Sequence, residues 1–570
     1  MKLVRLVPLA LVVIGLAATH ADAGPCARKD FKTSLVKSAC EKGGQDAAKD
    51  AMKAFSKDKG IKSCNQCHAK LAPTYELKAD GLEQFAKAGG QLLVVPKPTP
   101  PTPKPPDPKT PDPKTPTKPD PAGAPMPLRP QVPIDPRINF EKYTLDNGLE
   151  IILAPDPSVP VVSVNVWYHV GSGYESPGKS GFAHLFEHMM FQGSKHVGED
   201  THFDLLKKIG VTEVNGTTNQ DRTNYYETVP SNQLETALWL ESDRMGYLLQ
   251  PPLSKKNDGK RVEFKESLDN QIEVVRNERR QNYDNRPYGK TRFAIAAALY
   301  PEGHPYRYLT IGRHEDLIAA SVGDVQGFFK TWYVPANATL AVVGDFEVAA
   351  TKQLIDKWFG KFPKSVKPRA VVVPAPSIKS IEVTVEDSFA KLRQIQLTWH
   401  SPANFTEGDA ELDFIGNALG REGGRLYKAL VYERPLAENV SAGQGGATFS
   451  GTFTISVTLR SDADIDEVKR IVLAEVAKIV ATPITDKEFQ RVITGNEAGT
   501  IRTLENTLGR ANLLQSYNHY LGSADKLTWD LDRYRKTTPD KVRAVAAKFL
   551  QPDRVVTAIT KPAVSNTLLW

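Results

Sequence analysis

Cysteine is scarce in this 570-residue chain, with four residues that all lie before position 68. The long remainder therefore has neither disulfides nor thiolate metal ligands to draw on. Histidine is sparse too, 11 in all, so any pair at a meaningful spacing carries weight. The apolar run Leu6 to Ala18 falls short of the ~20 residues that a membrane-spanning helix needs, and no membrane anchor is expected. No nucleic-acid-binding motif occurs, and the basic excess is confined to the front. Residues 1–137 carry 22 Lys and Arg against 13 Asp and Glu, and the rest 51 against 53. No nucleic-acid partner is expected; a basic front suits an anionic cell envelope or an acidic redox partner.

The front has three parts. Met1 to Ala23 combines a basic start (Lys2, Arg5), the apolar run and Ala21-Asp22-Ala23, and reads as a signal peptide for export to a periplasm or beyond. Residues 24–95 form a small module, expected to be helical at Gln45 to Lys57 and near Gly81 to Lys87. Pro96 to Pro136 is a run of Pro, Lys, Thr and Asp that favours a polyproline II spacer, able to hold its neighbours up to ~100 Å apart.

The small module holds every cysteine. Cys64-Asn65-Gln66-Cys67-His68 has the C-x-x-C-H spacing of c-type haem attachment, and the module is similar to a short cytochrome c. That likeness implies thioethers at Cys64 and Cys67 and His68 as an iron ligand. No Met or His lies between Ala69 and Pro125 to supply the other axial ligand, which leaves Met52, Tyr75, a lysine or an open position. Two other readings stay open: disulfides joining Cys26 to Cys40 and Cys64 to Cys67, since so small a core needs staples, or a structural zinc on four thiolates.

The chemistry-bearing motif comes later. His184-Leu185-Phe186-Glu187-His188 sets two imidazoles four residues apart with a carboxylate beside the second. On a helix, positions i and i+4 share a face, so both rings can address one metal ion. Glu187 then stands beside the metal's water as its general base. This H-x-x-E-H order is the inverted form of the commoner zinc-protease helix. Catalytic zinc keeps three protein ligands and one open position, so a further donor is required. Glu273 and Glu278, in the helix-like stretch Gln271 to Arg280, are the candidates.

Gly181 to Ser194 (GFAHLFEHMMFQGS) resembles the active-site helix of the insulinase and pitrilysin family of zinc peptidases, especially the short branch that includes the mitochondrial processing peptidases. Asn215 to Tyr225, Leu240 to Leu248, Val274 to Gln281, His304-Pro305-Tyr306 and Tyr333 to Ala338 are similar as well, and the likeness covers roughly residues 138 to 562. It implies His184, His188 and Glu278 as zinc ligands, Glu187 as general base, and hydrolysis of peptide bonds in extended or unfolded polypeptides. It also implies that an edge strand at Asn215 to Asn219, with Asn215 and Thr217 among its contacts, pairs with the substrate main chain. Two departures stand out. Glu278 lies 90 residues beyond His188, a gap lengthened by a surface loop at Ser254 to Glu266, and Gln271 occupies a position where relatives often carry a supporting glutamate.

The fold expected is α+β: two duplicated α/β-sandwich lobes of the processing-peptidase type, residues 137–348 bearing zinc and 349–570 without it. The second lobe's counterpart of the zinc helix, Asp413 to Arg425, has no His or Glu in ligand spacing. Gly424-Arg425-Leu426-Tyr427 is similar to a hinge-like segment of the family, after which self-sufficient members carry a substrate-binding arginine and tyrosine. Those positions here are Val431 and Glu438. The likeness therefore implies a paralogous subunit supplying the pair, unless Arg425, Tyr427 or Tyr432 substitutes by a shift in register. The rival reading is a non-catalytic envelope protein whose peptidase fold binds chains while the front carries electrons.

Overall fold

A computed structural model describes Thr33 to Lys59, Ala86, and residues 135–256, 258–369, 371–374 and 376–563. The chain divides into two compact units between Pro127 and Leu128. In the first unit a helix spans Ser34–Asp58. It starts well before the expected Gln45, running through Gly43-Gly44 although each glycine costs a helix about 1 kcal/mol relative to alanine. The export segment, the haem-like residues Cys64, Cys67 and His68, the stretch Gly81 to Lys87 apart from Ala86, and the proline run up to Ile134 lie outside the described residues. No described helix is long and apolar enough to cross a membrane.

The second unit contains two sheets. Strands β1 (Glu141–Thr144), β2 (Glu150–Pro155), β3 (Val161–Tyr168), β4 (Glu213–Thr218), β5 (Thr223–Pro230) and β6 (Ala338–Gly344) assemble in the order β1-β2-β6-β3-β5-β4. Strands β7 (Ile381–Asp387), β8 (Gln394–Ser401), β9 (Ala437–Gly445), β10 (Gly451–Leu459) and β11 (Val556–Pro562) assemble as β7-β11-β8-β10-β9. Apart from β1, the two orders are the same when each set is counted from its first strand. In both, the first and last strands pair in parallel and the remaining pairs are antiparallel. The α+β duplication is thus visible in the connectivity itself, with β4 and β9 as equivalent free edges.

Each sheet carries helices on both faces. On β3, Val162, Val164, Val166 and Tyr168 enter the first core beside Leu185, Phe186 and Met189 of the helix Phe182–Met189. The intervening Ser163 and Asn165 are equally buried, because they lie under a helix that comes from far along the chain, Thr507–Leu521. There Ser163 Oγ meets Thr507 Oγ1 at 2.7 Å, Asn165 donates to Asn512 at 2.8 Å, and the Gln515 amide donates to the carbonyls of Asn165 and Thr339. The exchange is reciprocal. Helix Gly289–Leu299 packs on the second sheet, where Thr291 meets Thr560 at 2.5 Å and His400 contacts the Leu299 carbonyl at 3.0 Å. Packing of the first lobe also continues past residue 349, since Ile355 and Phe359 fill its core.

Candidate metal centre

The helix Phe182–Met189 begins at Gly181, whose φ of 91° suits glycine, and a Cβ there would meet the Gly312 Cα at 2.9 Å. Its first N–H groups are taken up by Glu175, whose carboxylate accepts from Gly181 N at 3.0 Å and Ala183 N at 2.8 Å. Burial pushes the Glu175 carboxyl up to about 8, against the lowering effect of those N–H donors. With Ala183, Leu185, Phe186 and Met189 buried, the opposite side of the helix presents His184, Glu187 and His188 together.

Glu278 joins them from the last turn of the helix Phe264–Arg279. The expected surface loop Ser254 to Glu266 is an exposed turn through Arg261, closed by the bridge between Leu253 and Arg261. Its final three residues belong to the helix, because Phe264 packs against the first core and starts the winding there. His184 Nε2 and His188 Nε2 each lie 3.5 Å from Glu278 Oε2. Ligands about 2.0–2.1 Å from a tetrahedral zinc stand about 3.3–3.4 Å apart, so the three side chains fit that ion. Burial, then the neighbouring His188, lowers the His184 imidazole to about 4, so it is neutral and ready to ligate near neutral pH. The hydrogen bond from His188 holds the Glu278 carboxyl below its ordinary range.

Glu273, the other carboxylate candidate, is committed elsewhere, its oxygens paired with Arg276 and Arg280. Among the described residues one further group, His202, Glu227 and Glu241, brings three donor atoms close together. It encloses Arg244, whose guanidinium bonds Glu241 and lies 3.8 Å from Glu227. That cation already occupies the role a metal would play. Gln271 is buried on the helix of Glu278, two turns earlier.

Glu187 faces β4. Thr218 Oγ1 donates to Glu187 Oε2 at 2.5 Å, and a Cβ on Gly216 would lie 2.9 Å from the Glu187 Cγ, so only glycine lets the strand approach this closely. Burial raises the Glu187 carboxyl, and the Thr218 hydroxyl acts to lower it. Asn215 and Thr217 point to the opposite face. Asn215 is exposed, and the Thr217 hydroxyl bonds Asn224 and Arg222. Alternation along the strand shows that two faces exist without showing which one meets the helix of His184 and His188, so the sequence alone does not single out Thr218. As expected, β4 is an edge strand, its outer main-chain groups unpaired by the sheet. Thr218→Val is expected to lower kcat/KM about tenfold, the worth of one charge-assisted hydrogen bond. Losing the donor lets the Glu187 pKa rise. On the expectation that Glu187 is a general base, which acts deprotonated, the acidic limb of the pH profile should move to higher pH, which a pH series on both proteins would show.

In the second lobe, helix Asp409–Gly420 occupies the place of the zinc helix without ligands. The Arg425 guanidinium holds both oxygens of Glu488, at 2.8 and 2.7 Å, and is not available to a substrate. Val431 packs against the second core, and Glu438 pairs with Arg460 at 3.4 Å. Tyr427 and Tyr432 pack edge to face, with Tyr432 largely exposed.

Duplicated sheets with two imidazoles and a carboxylate converging in one lobe define a two-lobed metallopeptidase-like architecture. The chain matches the Insulinase (Peptidase family M16) family over residues 150–286 and the Peptidase M16 inactive domain over residues 319–496, together more than half its length. It belongs to the M16 insulinase family. A zinc protease PqqE of Helicobacter pylori is 27% identical over 433 residues, 74% of this chain and 93% of that protein. The mitochondrial-processing peptidase subunit beta of Blastocladiella emersonii is 24% identical over 244 residues, 43% of this chain and 49% of that protein. A crystal structure of a protease from Helicobacter pylori superimposes with a TM-score of 0.67 at 24% identity, covering 75% of this chain and all of that one.

Proposed function

We propose that this protein is an exported zinc endopeptidase that hydrolyses peptide bonds in extended or unfolded polypeptides. The observation that carries the reading is the meeting of His184, His188 and Glu278 at zinc-compatible distances, with Glu187 on the same helix face. Zinc in that position supplies Lewis-acid polarisation of the scissile carbonyl and a more acidic water. Glu187, its basicity raised by burial, accepts the proton of the attacking water and returns it to the leaving amine. Thr218 orients the carboxylate. The free edge of β4 binds the substrate main chain as an added strand, which selects extended shape rather than a particular sequence.

Among the described residues, the positions where the family carries its arginine and tyrosine do not serve this site: Val431 packs inward, Glu438 pairs with Arg460, and the neighbouring Arg425 is locked to Glu488. We infer that a paralogous subunit provides that arginine and tyrosine. Whether the front binds haem c, with Cys64, Cys67 and His68, is decided by a visible Soret band on the purified chain. For the activity itself, cleavage of an unfolded polypeptide should vanish on chelation, return with stoichiometric zinc, and rise when the co-purified partner is added. Hydrolysis that survives full removal of the metal would exclude the proposal.

A further inference from the structure

The turn that follows β4 carries a buried carboxylate that the hydrolytic chemistry does not use. Asp221 is 1% exposed. It accepts three hydrogen bonds from three separate parts of the chain: from Tyr306 Oη at 2.5 Å, from Tyr520 Oη at 3.0 Å, and from Thr448 N at 2.9 Å. Tyr306 belongs to the first lobe. Tyr520 lies on the exchanged helix Thr507–Leu521, and Thr448 lies in the turn between β9 and β10 of the second lobe. Tyr306 Oη in turn accepts from Phe449 N at 3.1 Å, so the same second-lobe turn is held twice.

The turn bearing Asp221 is itself rigidly set. Ser172 N and Gly173 N donate to the carbonyls of Asn219 and Gln220 at 3.0 and 2.8 Å, and a Cβ on Gly171 would lie 2.1 Å from the Asn219 oxygen. The Asn219 side chain accepts from the N–H groups of Asp221 and Arg222, closing the turn on itself. One residue earlier stands Thr218, which bonds Glu187. Asp221 thus ties the hairpin turns of the two equivalent edge strands, β4 and β9, to each other at a single buried point.

We propose that Asp221 is a positioning residue that sets the second lobe's edge strand β9 in register with the substrate strand β4, so that a long polypeptide is gripped by both lobes at once. This inference rests on the peptidase reading for its kinetic consequence, while its mechanical content is independent of it. A carboxylate offers only acceptors, which matches three donors; an amide at the same place would turn one of its atoms into a donor facing donors. Without the pin, the two edges sample other relative positions. Substrate that needs both then binds only the aligned fraction, which raises KM without altering the chemistry at Glu187.

The test compares wild type, Asp221→Asn and Tyr520→Phe on two substrates: a reporter peptide of a few residues, which reaches β4 alone, and an unfolded polypeptide long enough to span both edges. For Asp221→Asn, KM for the long substrate should rise about ten- to a hundredfold, with kcat, zinc content and turnover of the short peptide nearly unchanged. Tyr520→Phe, a milder change that keeps the fold should Asp221→Asn fail to reach it, should show the same selectivity at a few-fold scale. Hydrogen exchange on the same proteins should quicken over residues 213–219 together with residues 446–450. Equal losses on both substrates, no loss on either, or faster exchange limited to 446–450 would overturn the proposal. If wild type cleaves neither substrate, the peptidase reading fails, and the exchange result alone decides whether Asp221 couples the two edges.

Discussion

Glu187→Gln should yield a folded protein that retains zinc and is nearly silent, with kcat/KM reduced by about two to four orders of magnitude. The substitution is close to isosteric. It leaves His184, His188 and Glu278 in place, and the amide oxygen can still accept the hydrogen bond from Thr218. Only the ability to take a proton is lost. The carboxylate is suited to that task because burial raises its basicity, against the lowering effect of the Thr218 hydroxyl and the nearby His188 and Arg222. Steady-state kinetics on an unfolded polypeptide, with zinc measured on the same preparation, checks the claim. A variant that turns over at more than a tenth of the wild-type rate would remove Glu187 from the role.

Glu278→Gln should act differently, abolishing activity by releasing the metal. Glu278 is the anionic member of the three and the one nearest to both imidazoles, at 3.5 Å from each. Replacing it removes the charge that offsets a divalent cation and leaves an amide, a poorer donor for zinc. Loss of a supporting residue around such a site costs about 10–100-fold in affinity, and loss of a direct ligand should exceed that. Titration with a competing chelator, comparing wild type with the variant, isolates this centre from any zinc held by the cysteines of the front module. Equal zinc affinity in the two proteins would place the third ligand elsewhere. Glu187→Gln and Glu278→Gln therefore fail in separable ways, one with the metal kept and one with it lost.

Much of the site could be read from residue order, because its rule is local. A spacing of four puts His184 and His188 on one helix face whatever the rest of the chain does. Glu278 was reachable only through its surrounding motif, as the 90 residues after His188 fold back in a way no spacing rule describes. The exposed turn before Phe264 accounts for the added length without disturbing the helix that carries Glu278. Other features follow from tertiary structure. Asn512, Gln515 and Asn518 look like the solvent side of an amphipathic helix, yet each hydrogen-bonds the first sheet. Periodicity announces that a helix has a buried face but is silent on which sheet covers it, so neither exchanged helix is legible from it. Asp221 was hidden for a related reason. An Asp in a polar turn ordinarily faces water, and its three donors come from positions 85, 227 and 299 residues away.

On the function proposed, one zinc ion is held by His184, His188 and Glu278 within the first lobe. Anomalous diffraction at the zinc edge from crystals of the full chain tests it most directly. A single strong peak is expected within about 2.0–2.2 Å of both Nε2 atoms and a Glu278 oxygen. Zinc found only among the cysteines of the front module, with these three side chains bare, would contradict it.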